Sequence, residues 1–316
     1  MGGAWERFRD RSGGLMASVS KWYASEPVEP VKTGIAPLDA ALAGGMQPRP
    51  YFIGGKPASG KSALALQIAL NVALSGHHVA VWSGEMSRDE CERRLLACYS
   101  VTAGCKAVSL GQIDAQGRMF RSRMVQAMRA GVDLAGFMAN VADGGDPVVT
   151  AAVKFERDCS TLAIVEGKPR VSAMRQDLAE LAEDGVRPLV VLDYLQLLDI
   201  EKPARSAVDQ AGEAVEAVRL IANDYGVPVL ALAALGREPM RKKDEGPTMN
   251  DFRDTSNVEY AAQGAIILRR ADEGAAPGPD GVEVCAHVVK LRNGPFPRIV
   301  RLTFDGDRNY FRPLGR

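Results

Sequence analysis

From residue 33 onward, short apolar runs alternate with longer stretches whose apolar positions recur every three or four residues. The first pattern is that of a buried strand and the second that of an amphipathic helix. Residues 51–53 predict a strand and 62–75 a helix, followed by a strand at 79–82 and a helix at 87–100. The run Pro188-Leu-Val-Val-Leu is apolar without a break, as in a central parallel strand covered on both faces. A long amphipathic helix at 208–225 leads into another buried strand at 227–233, and later strands are predicted at 265–268, 282–289 and 298–304. This succession predicts an α/β fold, a mostly parallel central sheet with helices on both faces. Residues 101–170 are the least legible, with helical stretches at 118–129 and 148–159 and Gly144-Gly145 between them.

Residues 1–31 read as a short N-terminal helical arm. Trp5, Phe8, Leu15, Val19 and Trp22 give an amphipathic stretch, interrupted by Gly13-Gly14 and closed off by Pro27 and Pro30. Its aromatics favour packing on another surface over a frayed tail. Residues 32–316 are expected to form one large domain.

Composition narrows the classes. The 316 residues are 46% hydrophobic and 25% charged, as in an ordinary soluble globular protein. No apolar run approaches the roughly 18–20 residues that span a bilayer, and the polar N-terminus lacks a signal-peptide core. A cytoplasmic protein without a membrane role is expected. Five cysteines with no CxxC pair read as reduced thiols in or near the core, and the three histidines show no metal-ligand spacing. The formal net charge is zero, so any nucleic acid must be held by a local basic patch rather than a global field.

The densest chemistry lies at residues 55–62, Gly-Lys-Pro-Ala-Ser-Gly-Lys-Ser, between a predicted strand and a predicted helix. That context separates a phosphate-binding loop from a glycine-rich turn. Gly55 and Gly60 let the backbone curl, so that the amides of Ala58, Ser59 and Gly60 face phosphate oxygens. Lys61 brings positive charge to those oxygens at a helix N-terminus, and the Ser62 hydroxyl is placed to ligate Mg²⁺. Such a site needs a second carboxylate for the metal. Asp193, ending the apolar run at the carboxyl edge of its strand, is the candidate. Glu85, after the strand at 79–82, would lie beside a γ-phosphate and could polarise the attacking water. By spacing alone it could equally be a solvated loop residue.

These words resemble a family. Thr33-Gly-Ile-Ala-Pro-Leu-Asp with the phosphate loop, Ser83-Gly-Glu-Met-Ser-Arg, Val191-Leu-Asp-Tyr-Leu-Gln and Lys290-Leu-Arg-Asn-Gly-Pro are similar, in order, to motifs of the RecA-like motor domain of DnaB-type replicative helicases. The likeness runs over about residues 32–305 and is weakest at 101–170. It implies a RecA-like ATPase fold using ATP and Mg²⁺, with Lys61, Ser62 and Asp193 holding the nucleotide and metal and Glu85 as general base. Arg292 would be an arginine finger acting on a neighbouring subunit's ATP, with Lys290 beside it. Read without the family, these two alternate on a strand and would pass as a solvated edge. A finger in trans implies a homo-oligomeric ring, a hexamer in this family, moving on single-stranded DNA in replication, with a helicase loader or similar partner. The loop at 199–210, with Lys202 and Arg205, and the loop at 236–246, with Arg237, Arg241, Lys242 and Lys243, would face DNA in the channel. Solvated loops are the plain alternative for both.

Two departures stand out. The family's polar pair after the strand at 227–232, a γ-phosphate sensor, is replaced by Ala233-Ala234, and Tyr260-Ala-Ala-Gln stands where Gln-Asp-Ala-Asp is usual. Residues 1–31 take the place of a linker helix, with no room for the family's helical collar domain. A motor-only helicase of a phage or other mobile element is therefore one expectation. A RecA- or RadA-like recombination factor or assembly switch, or a degenerate paralogue that regulates a helicase, is the alternative.

Overall fold

The computed structural model describes residues 29–314 except 144, 202–206, 237–245, 253–254, 273, 275–277, 279–280, 293 and 295–297, together with Met16, Val19, Ser20 and Tyr23. The chain divides into two units, Met1–Pro30 and Val31–Arg316. In the first, Met16, Val19, Ser20 and Tyr23 are helical, with Met16 and Tyr23 exposed. Trp5, Phe8, Leu15 and Trp22 lie outside the described residues.

The second unit runs α1 (Ala36–Ala41), β1 (Pro50–Gly55), α2 (Lys61–Leu74), β2 (Val79–Ser83), α3 (Arg88–Thr102), α4 (Leu110–Arg129), α5 (Leu134–Asp143) and α6 (Pro147–Asp158). Then come β3 (Leu162–Glu166), α7 (Val171–Glu183), β4 (Leu189–Asp193), α8 (Ala207–Tyr225), β5 (Val229–Ala234) and α9 (Thr255–Ala261). It closes with β6 (Gly264–Arg270), β7 (Val282–Leu291), β8 (Arg298–Asp305) and β9 (Tyr310–Pro313). One sheet takes all these strands in the order β3-β2-β4-β5-β1-β6-β7-β8-β9.

From β3 to β6 neighbouring strands are parallel, and from β6 to β9 they are antiparallel. The connections explain the change. A parallel return needs a crossover of a dozen or more residues, which the helices supply as far as β6, whereas the turn 306–309 permits only a hairpin between β8 and β9.

Period-two alternation places the core. Tyr51 and Ile53 of β1, Val79 and Val81 of β2, and Leu189 and Val191 of β4 face α2 and α3 in one cluster. Phe52, Ala80, Trp82, Val190 and Leu192 face α7 and α8 in the other. Every residue of β1, β2 and β4 is buried, as a sheet covered on both faces requires. Each such large side chain contributes roughly 1.5–3 kcal/mol by leaving water.

Helix α2 is tied to the last strand through one side chain. Gln67, only 2% exposed, donates from Nε2 to Phe311 O at 2.8 Å and accepts from Phe311 N at 2.5 Å. The segment hardest to read holds α4, α5, α6 and β3, whose helices rest on small satellite clusters built around Val108 and Ile113 and around Phe137, Val141 and Val149. All five cysteines are free thiols, and burial pushes those of Cys98 and Cys159 up to about 12, which keeps them protonated and unreactive. No helix among the described residues is long and apolar enough to cross a membrane.

Candidate functional site

The carboxyl ends of β1, β2, β4 and β5 meet at one edge of the sheet, where ligands of open α/β sheets bind. Strand β1 stops at Gly55 and α2 begins at Lys61, so residues 56–60 form a loop at a helix N-terminus. Two glycines are dictated sterically. A Cβ on Gly55 would lie 2.3 Å from Ser59 Oγ, and Gly60 sits at φ +91° with Phe311's ring 2.7 Å from where its Cβ would be. Lys61 Nζ donates to the loop's own carbonyls, Gly55 O at 2.8 Å and Lys56 O at 3.0 Å.

Asp193 lies within reach of this loop. It ends β4, is 4% exposed, and accepts a hydrogen bond from the Ser62 hydroxyl. Glu85 is exposed on the turn after β2, and that turn is pinned to β4 by Gly84 N donating to Asp193 O at 2.7 Å. Ser83 Oγ closes the same turn onto Met86 O at 2.7 Å. Burial lowers the Lys61 pKa, and the charges of Asp193 and Glu85 oppose that shift. One cation, one hydroxyl and two carboxylates thus converge on a cleft of about 930 Å³.

Burial raises the Asp193 pKa, with Glu85 adding to the shift and Ser62 and Lys61 opposing it. A folded-state pKa above the unfolded one means that stability falls as pH rises from the unfolded value through the folded value. Asp193→Asn is therefore expected to raise the unfolding temperature of the ligand-free chain at neutral pH, with the gain vanishing below the ordinary carboxylate range. Thermal scans across pH measure this. A variant no more stable than wild type at pH 7 would show that Ser62 and Lys61 fully offset the burial.

Lys290 and Arg292 are not part of this cluster. Leu291 of β7 faces Gly264 of β6, and Gly264 faces Tyr51 near the start of β1. Arg292 thus sits at the amino edge of the parallel strands, about 13 Å along β1 from Gly55 at strand rise. Its backbone N donates to Gln263 O at 2.8 Å and its Nη2 to Tyr260 O at 2.7 Å. Lys290 Nζ donates to Glu259 O, and burial together with Arg292 lowers its pKa. A second cleft of about 460 Å³ opens beside Arg292, walled by Arg49, Arg219 and Asn257.

Lys202, Arg205, Arg237, Arg241, Lys242 and Lys243 lie outside the described residues. The base of the first loop is anchored: Val171 N donates to Asp199 O at 2.9 Å, and Ser172 Oγ donates to Glu201 Oε1 at 2.8 Å. The base of the second is held by a bridge between Leu235 and Phe252.

Three cleft neighbours escaped the sequence reading. Gln196 Oε1 accepts from Ala234 N at 3.3 Å, so an amide does stand beside the strand end that lacks the polar pair. Arg270 ends β6 with Nη2 3.5 Å from Ala58 O. Asn309 lines the cleft from the β8–β9 turn. Arg270 and Asn309 enter only through the order of the strands, and Gln196 was quoted only as part of a motif.

A family model described as the DnaB-like helicase C terminal domain matches residues 30–313. The chain is 28% identical over 279 residues to the replicative DNA helicase DnaB of Leifsonia xyli subsp. xyli, covering 87% of this chain and 54% of that protein. It is 27% identical over 290 residues to DnaB of Geobacillus stearothermophilus, covering 90% and 57%. With a probable plasmid replicative DNA helicase of Chlamydia psittaci it shares 27% identity over 221 residues, covering 70% and 42%. The chain thus spans about half the length of the DnaB proteins it matches. Among solved structures, an isolated ATPase domain superposes with a TM-score of 0.76 at 23% identity, covering 96% of this chain and 99% of that one. A DnaB-like replicative helicase studied for its interactions with primase gives a TM-score of 0.73 at 23% identity, covering 96% and 68%. These two likenesses establish a shared RecA-like fold. With the family model matched from the entry to β1 through to β9, the chain belongs to the DnaB-like helicase C-terminal domain family.

Proposed function

We propose that the chain is an ATP-driven, ring-forming motor of the DnaB type, acting on single-stranded DNA in replication. The observation that carries this reading is the separation of Arg292 from the phosphate loop. A cation at the opposite sheet edge cannot serve its own subunit's site and is free to complete that of the next copy. The relatives' roles as replicative helicases, one of them of a plasmid, support the choice of substrate.

Within one subunit, the loop amides and Lys61 would hold the phosphates, and Glu85 would orient and deprotonate the attacking water. Ser62 and Asp193 suit Mg²⁺, which keeps most of its waters and takes one or two protein oxygens. When bound, the ion would neutralise charge developing on the β- and γ-oxygens. Arg292 of a neighbour would stabilise the equatorial oxygens in the transition state, with Lys290 beside it. Residues 1–31 would act as an arm reaching an adjacent subunit, 32–316 would be the motor, and a cytoplasmic hexamer served by a loader is the assembly we infer. The basic side chains of the loops at 199–210 and 236–246 would track the DNA backbone.

Ala233-Ala234 favours one alternative, an ATPase switch that hydrolyses without coupling to DNA. ATP turnover and forked-duplex unwinding, each measured with and without single-stranded DNA, separate the two. Turnover stimulated several-fold by DNA and accompanied by unwinding is expected. Turnover indifferent to DNA would replace the motor with the switch.

A further inference from the structure

The β8–β9 turn stands directly against the phosphate loop. The rings of Phe304 and Phe311 at its two ends stack with centroids 4.4 Å apart. A Cβ on Gly60 would lie 2.7 Å from the Phe311 ring and 3.6 Å from that of Phe304. The turn is also tied down from within and from α4. Asp305 accepts from Arg308 N at 3.2 Å and from Arg308 Nη1 at 2.7 Å, and Leu110 N donates to Asp307 O at 2.8 Å.

Against that background one carboxamide of the turn is unpaired. Asn309 lines the cleft, is 1% exposed, and holds φ +51°, a left-handed backbone that asparagine tolerates better than most residues. Its Nδ2 has no hydrogen-bond partner among the described residues. Buried N–H groups without partners are rare in native proteins, and each calls for an explanation. A ligand acceptor arriving in the cleft supplies one.

We propose that Asn309 reads the base of the bound nucleotide and selects adenine. The inference rests on the ATP-site reading above and adds a specificity residue to it. With the phosphates held on the loop amides, the sugar and base must lie along a cleft wall, and the β8–β9 wall carries the unpaired amide. Adenine presents an amino donor beside a ring-nitrogen acceptor, which a carboxamide matches with its oxygen and its N–H. Guanine presents O6 and N7 there, two acceptors, one of which would face the carboxamide oxygen. Aspartate in place of asparagine would offer acceptors only, which suits the N–H donors on guanine's other edge and opposes the acceptor nitrogens of adenine. Both residues accept the left-handed turn, so Asn309→Asp is expected to fold.

Competition of unlabelled ATP and GTP against a fluorescent ATP analogue, with Mg²⁺, tests this on wild type, Asn309→Asp and Asn309→Ala. Wild type is expected to prefer ATP over GTP by roughly five- to a hundredfold, the range of one bidentate base contact. Asn309→Ala should bring the ratio towards one, and Asn309→Asp should move it in favour of GTP. Thermal unfolding of each variant reports its fold. Equal loss of ATP and GTP affinity would make Asn309 merely structural and overturn the proposal, as would a wild type without preference. Failure of wild type to bind either nucleotide would instead remove the ATP-site reading, and this inference with it.

Discussion

Arg292→Ala is expected to lower ATP turnover by about a thousandfold to a hundred-thousandfold, the usual range for arginine fingers, while each subunit still binds nucleotide. The reason is positional. Arg292 leaves β7 at the edge where β1 begins, and its guanidinium is held by Tyr260 O beside an open cleft. Removing it disturbs nothing around Lys61, Ser62, Glu85 or Asp193, so binding of a nucleotide to the isolated subunit should persist. Mixing provides the stringent check. Lys61→Ala destroys a subunit's own loop and leaves its Arg292 intact, while Arg292→Ala does the reverse. In mixed rings, some interfaces pair a whole loop with a whole finger, and part of the turnover should return. Two dead variants that stay dead when mixed, under conditions where they co-assemble, would place Arg292 outside the catalytic step.

Glu85→Gln is expected to reduce hydrolysis by about a hundredfold to ten-thousandfold, the usual contribution of a general base, with little change in nucleotide affinity. Glutamine keeps the shape of the turn after β2 and loses only the ability to take a proton. The turn itself does not depend on the Glu85 side chain. Ser83 Oγ and the Gly84 N to Asp193 O bond fix it. Single-turnover hydrolysis beside equilibrium binding makes the measurement. A parallel fall in both would mean that Glu85 holds the nucleotide rather than activating water.

The legible part of this molecule is the part whose pattern is local. Continuous apolar runs marked β4 and β5, and the phosphate loop announced itself through the strand before it and the helix after it. Glu85, Asp193 and Lys61 could be named because each closes or opens an element of the parallel sheet. The stretch 101–170 resisted for an opposite reason. Its helices bury small faces against satellite clusters, and β3 is an edge strand with exposed Ala163 and Val165, so no strong alternation identifies it. Asn309 and Arg270 could not be read at all. They reach the cleft because β6 neighbours β1 and because β9 crosses α2, relations that only the folded sheet creates.

The clamp of Gln67 on Phe311 also has a meaning for the order in which the chain is made. A ribosome completes β1, the loop and α2 early, yet the ring that backs Gly60 and the backbone that satisfies Gln67 are synthesised 244 residues after Gln67 itself. Until Phe311 arrives, the carboxamide in the middle of α2 lacks that partner and the loop has no floor. Maturation of the phosphate-binding end therefore waits for β9 to leave the ribosome. A nascent chain stalled before β9 would carry every catalytic residue named above and still present an unfinished site.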